Sequence, residues 1–192
     1  MNTPNTNTPA PCATPVKAVD PWQMQRTLMA ASSQSLPAKP EINRDVMLYA
    51  ALNLEELSEM VNGLANALGK LAEGPAEVTE VGKVLKQAST EMHEHSLVVR
   101  GLLSQVPATF SAPVDAEDLV EMADGTTDVT VVNSGFALAL GLDGAACYDE
   151  VAGSNLSKIN PDTGVIDKTP DGKWIKGRDY RAPNLSKVVL GR

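Results

Sequence analysis

The stretch LNLEELSEMV, Leu52 to Val61, carries three glutamates in five positions, Glu55, Glu56 and Glu59, on a segment whose apolar residues step by three and four. That step is the period of a helix with one apolar face. Followed outward, it runs from about Ile42 to Glu73 through Val46, Tyr49, Ala50, Leu54, Leu57, Val61, Leu64 and Leu68. The spacing therefore predicts one long amphipathic helix bearing a tight acidic cluster.

The same reading extends to both ends of the chain. Residues 1–20, rich in Thr, Asn and Pro, lack the apolar surface to order themselves and read as a disordered arm. PWQMQRTLMAAS opens with proline and predicts a short helix from near Trp22. SLPAKP breaks it before the long helix. Gly74–Pro75 ends the long helix, and Val78, Val81, Val84, Leu85, Ala88 and Met92 predict another from Ala76 to Leu103. Asp115 is placed to cap a helix from Ala116 to about Leu142. A shorter helix follows from Ala145 to about Ser154. NPDTG and TPDGK are turn sequences, and VIDK and KWIK flank the second as strands of a small hairpin. The expected architecture is all-α: four or five helices in a bundle over 21–158, with a C-terminal hairpin and tail over 159–192.

Composition narrows the function. Of the 192 residues, 43% are apolar but only 4% aromatic, which suits helix packing better than a β-sandwich. A net charge of −8 argues against a nucleic-acid polymer, whose binding needs a clustered cationic surface. A small phosphorylated ligand stays compatible, because a bound divalent cation reverses the local field. Cys12 and Cys147 sit in unlike surroundings and give no disulfide framework, so a reducing cytoplasm is the expectation. No run of about 18 apolar residues marks a membrane span, and the N-terminus lacks a signal-peptide pattern.

Two acidic pairs stand out. Glu56 and Glu59 are three residues apart and share a helix face. Glu121 and Asp124 repeat that spacing, with Asp128 one turn later. Carboxylates from two facing helices build the hard oxygen site that Mg²⁺ or Mn²⁺ takes. An acidic EExxE alone usually faces water. The second pair is embedded among Leu119, Val120, Met122, Ala123, Val129, Val131 and Val132, where acids are costly unless paired, protonated or liganded. His93 and His95 are two apart on a helix, point to different faces, and read as surface residues. Gly135, Gly141 and Gly144 lie within or after a helix, so they form no dinucleotide-binding loop.

Taken in order, several motifs resemble the MazG-like, all-α nucleotide pyrophosphohydrolases. EELSE followed by EMAD resembles the family's EExxE…ExxD signature. DGTTDVTVVNSGFALALGLD resembles its aspartate-bearing helix running into a small-residue segment. YDEVAGSNLSKI resembles a DEVHxSNxSK element, and PDGKWIKGRDYRAPNL a DGKxxKGPNYxPP tail found in a phage and bacterial subgroup. SSQSLPAKPEI resembles that subgroup's approach to the first long helix. The resemblance covers about residues 22–185. The chain departs from the pattern in the 62 residues between Glu59 and Glu121, which hold the extra segment 74–103, and in KGRDY and VAGSN.

The resemblance implies a metal-dependent hydrolase that cleaves a nucleoside triphosphate between its α and β phosphates, giving a monophosphate and pyrophosphate. By resemblance, Glu56, Glu59, Glu121 and Asp124 hold Mg²⁺ or Mn²⁺, Glu55 and Glu56 act on the attacking water, and Asp128 supports the ligands from behind. Asn155 and Lys158 of SNLSK would face phosphates or sugar, with Lys173, Lys176 and Tyr180 closing over the ligand. For the tail lysines a solvated basic tail is the competing reading. For Asn133, a pocket residue, it is a helix-contact asparagine. The resemblance further implies action on the deoxynucleotide pool, with a purine such as dGTP or dATP, in the cytoplasm (the host's, if phage-encoded). It also implies a homodimer or dimer of dimers, with Lys176 reaching a neighbour's pocket. The alternative is a catalytically inactive helical interaction protein that retains the fold.

Overall fold

The computed structural model describes residues 20–34, 36–71, 74–169 and 173–191. The arm expected over 1–20 lies outside these residues except for Asp20. The chain is mostly helical. In order come α1 (Pro21–Ala31), β1 (Glu41–Asn43), α2 (Arg44–Gly69), α3 (Ala76–Leu103), β2 (Ser111–Pro113), α4 (Ala116–Ala139), α5 (Gly144–Leu156) and α6 (Leu185–Leu190).

The ends of these helices follow from local chemistry. Asp20 caps α1 by accepting from the Trp22 and Gln23 amides, Asn43 caps α2 through Val46, and Asp143 caps α5 through Ala146. Asp115 takes the N-cap position of α4 without a side-chain capping bond. At the end of α1 the Gln34 amide donates to Met29 and the Ser33 amide to Ala30, with Ser33 at φ 54. This is a helix stop in which the left-handed residue is a serine.

α2 and α3 form an antiparallel pair whose seam is made of small residues. Ala51, Ser58 and Ala65 are buried on α2, and Gly82, Ser89, Ser96 and Leu103 on α3, each series repeating every seven residues. Small residues at that period let two backbones approach closely along a coiled-coil seam. The Ser89 hydroxyl donates to the Ser58 carbonyl at 2.8 Å, and a Cβ at Gly82 would lie 3.3 Å from Leu68 Cβ. The large apolar residues expected to form the core, such as Leu54, Leu57 and Val61, are only half-buried beside this seam, while Val46, Val81 and Val84 are exposed. The segment 74–103 is therefore the packing partner of the acidic helix.

A second core joins α1, α5 and the C-terminal segment. Met24, Leu28, Ala152 and Ile166 are buried together, flanked by Tyr148, Leu156, Ile159 and Trp174. The Ile166 amide donates to the Ala31 carbonyl at 2.8 Å. The segment beyond residue 158 is thus built into the core. Of the expected hairpin, one antiparallel bridge among the described residues joins Lys168 to Trp174. β1 and β2 pair antiparallel, Ile42 opposite Ala112. α4 contains no buried residue; it packs against α5, and its Leu119, Met122 and Thr126 line a hollow with Trp22, Ile42 and Val46. No single helix among the described residues is long and apolar enough to cross a membrane.

Candidate functional site

α2 brings one face to a cleft of about 320 Å³. Tyr49, Leu52, Asn53 and Glu56 lie along that face at helical spacing. Gln25 of α1 and Gln34 close one side, and Asn155, Lys158, Lys173 and Trp174 the other. Four residues singled out in the sequence, Glu56, Asn155, Lys158 and Lys173, therefore meet at one cavity, although 117 positions separate the first from the last.

The two ends of the cleft differ chemically. At the cationic end the Lys158 ammonium donates to the Asn155 side-chain oxygen at 2.8 Å and sits 5.7 Å from the Trp174 ring centre. Burial depresses its pKa, Tyr180 opposes that, and Lys176 depresses it further. Glu56, exposed at the rim, has its carboxyl pushed up by desolvation and then by the charges of Glu59 and Glu55, with Lys173 and Lys158 pulling the other way. Lys176 lies 4.9 Å over the Tyr180 ring, outside the cleft lining.

At the other end a fixed chain of polar groups forms the wall. Gln25 Nε2 donates to the Tyr49 hydroxyl at 2.7 Å, and that hydroxyl donates to Gln34 Oε1 at 3.2 Å. Ser32 also donates to Gln34 Oε1, and Gln34 Nε2 donates to Asp45 at 3.2 Å. Burial raises the Tyr49 pKa, so the phenol stays neutral. Tyr49 and Asn53 share the helical face of Glu56 and were legible from spacing alone. Gln25, Gln34 and Trp174 come from distant segments and carry no local signal.

Glu55 is not itself part of the cleft lining but is bonded to it. Its side chain, 13% exposed, is held by Arg100 Nη1 at 3.1 Å and Lys173 Nζ at 3.1 Å. Arg100, on the far end of α3, has no sequence signal of its own.

The second acidic pair is elsewhere. Glu121 lines a shallow hollow at the start of α4 with Asp115, Asp118 and Ile42. Asp124 and Asp128 are exposed on the same helix, and Asn133 is half-buried there, away from the cleft. Among the described residues no group of three or more His, Cys, Asp or Glu side chains comes together to hold a metal ion. The four carboxylates Glu56, Glu59, Glu121 and Asp124 are not brought together: Glu56 is the carboxylate in the cleft lining, with Glu59 three residues on and outside that lining but close enough to raise the Glu56 pKa, while Glu121 and Asp124 lie on α4. His93 and His95 are exposed on α3, and Cys147 is a half-buried free thiol.

Compared with known proteins, the chain matches no family model, no curated protein and no solved structure.

Proposed function

We propose that the chain is a metal-dependent nucleoside triphosphate pyrophosphohydrolase of the MazG-like all-α type, acting on deoxynucleotides. The observation that carries this reading is the meeting of Glu56, Asn155, Lys158 and Lys173 at one cleft. Apposed lysines and the Glu56 carboxylate suit a polyphosphate bound with a divalent cation. Lys158, held by Asn155 and half-buried, is a positioned charge for phosphate oxygens. Lys173 stands at the rim, where it can follow a phosphate chain. Glu56, with its raised pKa, is suited to accept a proton from water. A bound Mg²⁺ or Mn²⁺ would neutralise phosphate charge and lower the pKa of a water. The Gln25–Tyr49–Gln34 wall offers hydrogen-bonding groups to the nucleoside end, and dGTP and dATP are the first substrates to try.

The test is release of pyrophosphate from a panel of dNTPs and NTPs with Mg²⁺ and then Mn²⁺. One pyrophosphate per monophosphate, lost in Glu56→Gln and in Lys158→Met, is the expected result. Absence of release from every nucleotide with both metals overturns it. A second reading, a helical interaction protein without turnover, is favoured by the separation of Glu121 and Asp124 from α2. It predicts that Mn²⁺ leaves the melting temperature unchanged, because a ligand that binds only the native state must raise it.

A further inference from the structure

The hydrogen bonds in the polar wall of the cleft run in one direction, and a residue outside the cleft sets it. Gln34 is 7% exposed, and its Nε2 donates to an Asp45 carboxylate oxygen at 3.2 Å. An ionised carboxylate only accepts, so the Gln34 amide is held one way round and presents Oε1 to Tyr49 at 3.2 Å. That oxygen carries no hydrogen. The one hydrogen of the Tyr49 hydroxyl is therefore spent on it, and Gln25 has to meet Tyr49 with Nε2, as it does at 2.7 Å. The order from Gln25 through Tyr49 and Gln34 thus follows from the carboxylate at its end.

What this chain of bonds leaves over is mostly acceptor. Tyr49 Oη keeps a lone pair and has no hydrogen to give. Gln25 Oε1 receives no hydrogen bond among the described residues. Against these two oxygens stands one remaining hydrogen on Gln25 Nε2. Asn53, exposed one turn along α2, makes no side-chain bond to a described residue, so its amide turns to suit any ligand and favours none. Leu48, Leu52 and the Trp174 ring supply the apolar lining, on which a planar heterocycle can stack. An amino group on that heterocycle carries two hydrogens on one atom and can serve both free oxygens. A carbonyl in its place brings lone pairs against lone pairs.

We propose that this wall selects bases with an exocyclic amino group where adenine and cytosine carry it, over their carbonyl counterparts hypoxanthine and uracil, and that Asp45 sets the selection from outside the cleft. A site whose hydrogen-bonding groups are already oriented discriminates strongly, because the wrong ligand leaves them unpaired. Asp45 is a positioning residue: it does not line the cleft, and it borders a separate polar hollow with Ser33 and Lys168. The inference rests on reading the cleft as a nucleotide site.

The test is calorimetric titration of the full chain with dAMP against dIMP and with dCMP against dUMP, run beside hydrolysis of the four matching triphosphates with Mn²⁺. Each amino nucleotide should bind about ten-fold or more tightly than its carbonyl partner. Where the triphosphates turn over, the difference should lie in KM and not in kcat, because the base contacts are made equally before and during the phosphate chemistry. Asp45→Asn can give a hydrogen to Gln34 and let the bonds run backwards, so both ratios should shrink toward parity. Asp45→Glu still only accepts and should keep them. Gln25→Leu removes a free oxygen of the wall and should also lower both ratios, which decides the matter if the Asp45 variants do not fold. Melting curves check that each variant is folded. Equal binding of amino and carbonyl nucleotides by the parent overturns the inference, and so do equal effects of Asn and Glu at position 45 in folded variants. Turnover without preference sinks this inference and leaves the pyrophosphohydrolase reading standing. Preference in binding without turnover does the reverse, and absence of both sinks both.

Discussion

Glu55 and Lys173, 118 positions apart, meet at 3.1 Å, and the same carboxylate receives Arg100 at 3.1 Å. One side chain on α2 thereby ties together the far end of α3 and the C-terminal segment that walls the cleft. The Arg100 and Glu55 side chains are 12% and 13% exposed, whereas Lys173 is 51% exposed. The two halves of the network therefore differ in strength.

Glu55→Gln should cost about 2 kcal/mol, less than a fully buried pair because some water reaches it. Lys173→Met should cost under about 1 kcal/mol, as exposed pairs do. Urea denaturation midpoints of the two variants check this ordering. If Glu55 instead works directly on the attacking water, Glu55→Gln will leave the midpoint in place and abolish turnover alone.

The small-residue seam of α2 and α3 makes an opposite pair of predictions. Ala65→Leu adds volume where the two backbones are close, and overpacking of this kind costs about 1–3 kcal/mol. Ser96 is fully buried and its hydroxyl has no hydrogen-bond partner. Ser96→Ala removes a desolvated polar group, so it should be neutral or stabilising by up to about 1 kcal/mol. Thermal melts of both variants provide the measurement. A loss on Ser96→Ala as large as that on Ala65→Leu would mean the seam is not packed as described.

Helix existence was legible from apolar spacing over α2 and α3, from the leading proline of α1 and from Asp115 ahead of α4. Which face is buried was not. The usual rule puts Leu and Val inside, but along most of the α2–α3 seam the buried positions are Ala, Ser and Gly, with Leu48 and Leu103 buried only where α2 begins and α3 ends, so most large side chains flank the seam. β1 and β2 were missed because three residues carry no alternation, and α6 because six residues carry no helical period. At the cleft, Asn155, Lys158 and Lys173 were reached through SNLSK and the tail. The partnership of α2 with α4 was implied by the family resemblance, which the matching acidic spacings had suggested. Equal spacing fixes each pair on its own helix and says nothing about which helices touch, and here the partner of α2 is α3.

The raised pKa of Glu56 gives the cleft a pH signature. Desolvation, then Glu59 and Glu55, make its ionised form less favourable in the folded chain than in the unfolded one. Below the ordinary carboxylate range both states hold the proton and nothing is lost. As pH rises through that range the unfolded chain ionises first, so the folded chain binds more protons and stability falls. Above the folded pKa the penalty is complete and constant. Glu56→Gln, which cannot ionise, should therefore melt higher than the parent at pH 7 by a few degrees at most, and the two should converge near about pH 3. A divalent cation that binds Glu56 prefers the ionised form, so Mg²⁺ or Mn²⁺ should raise the parent's melting temperature at pH 7 and leave Glu56→Gln unmoved. Melting curves across pH, with and without Mn²⁺, read both effects. Parallel pH curves for parent and variant would mean Glu56 is solvated like any surface glutamate. Equal metal shifts in the two would mean the ion is held elsewhere.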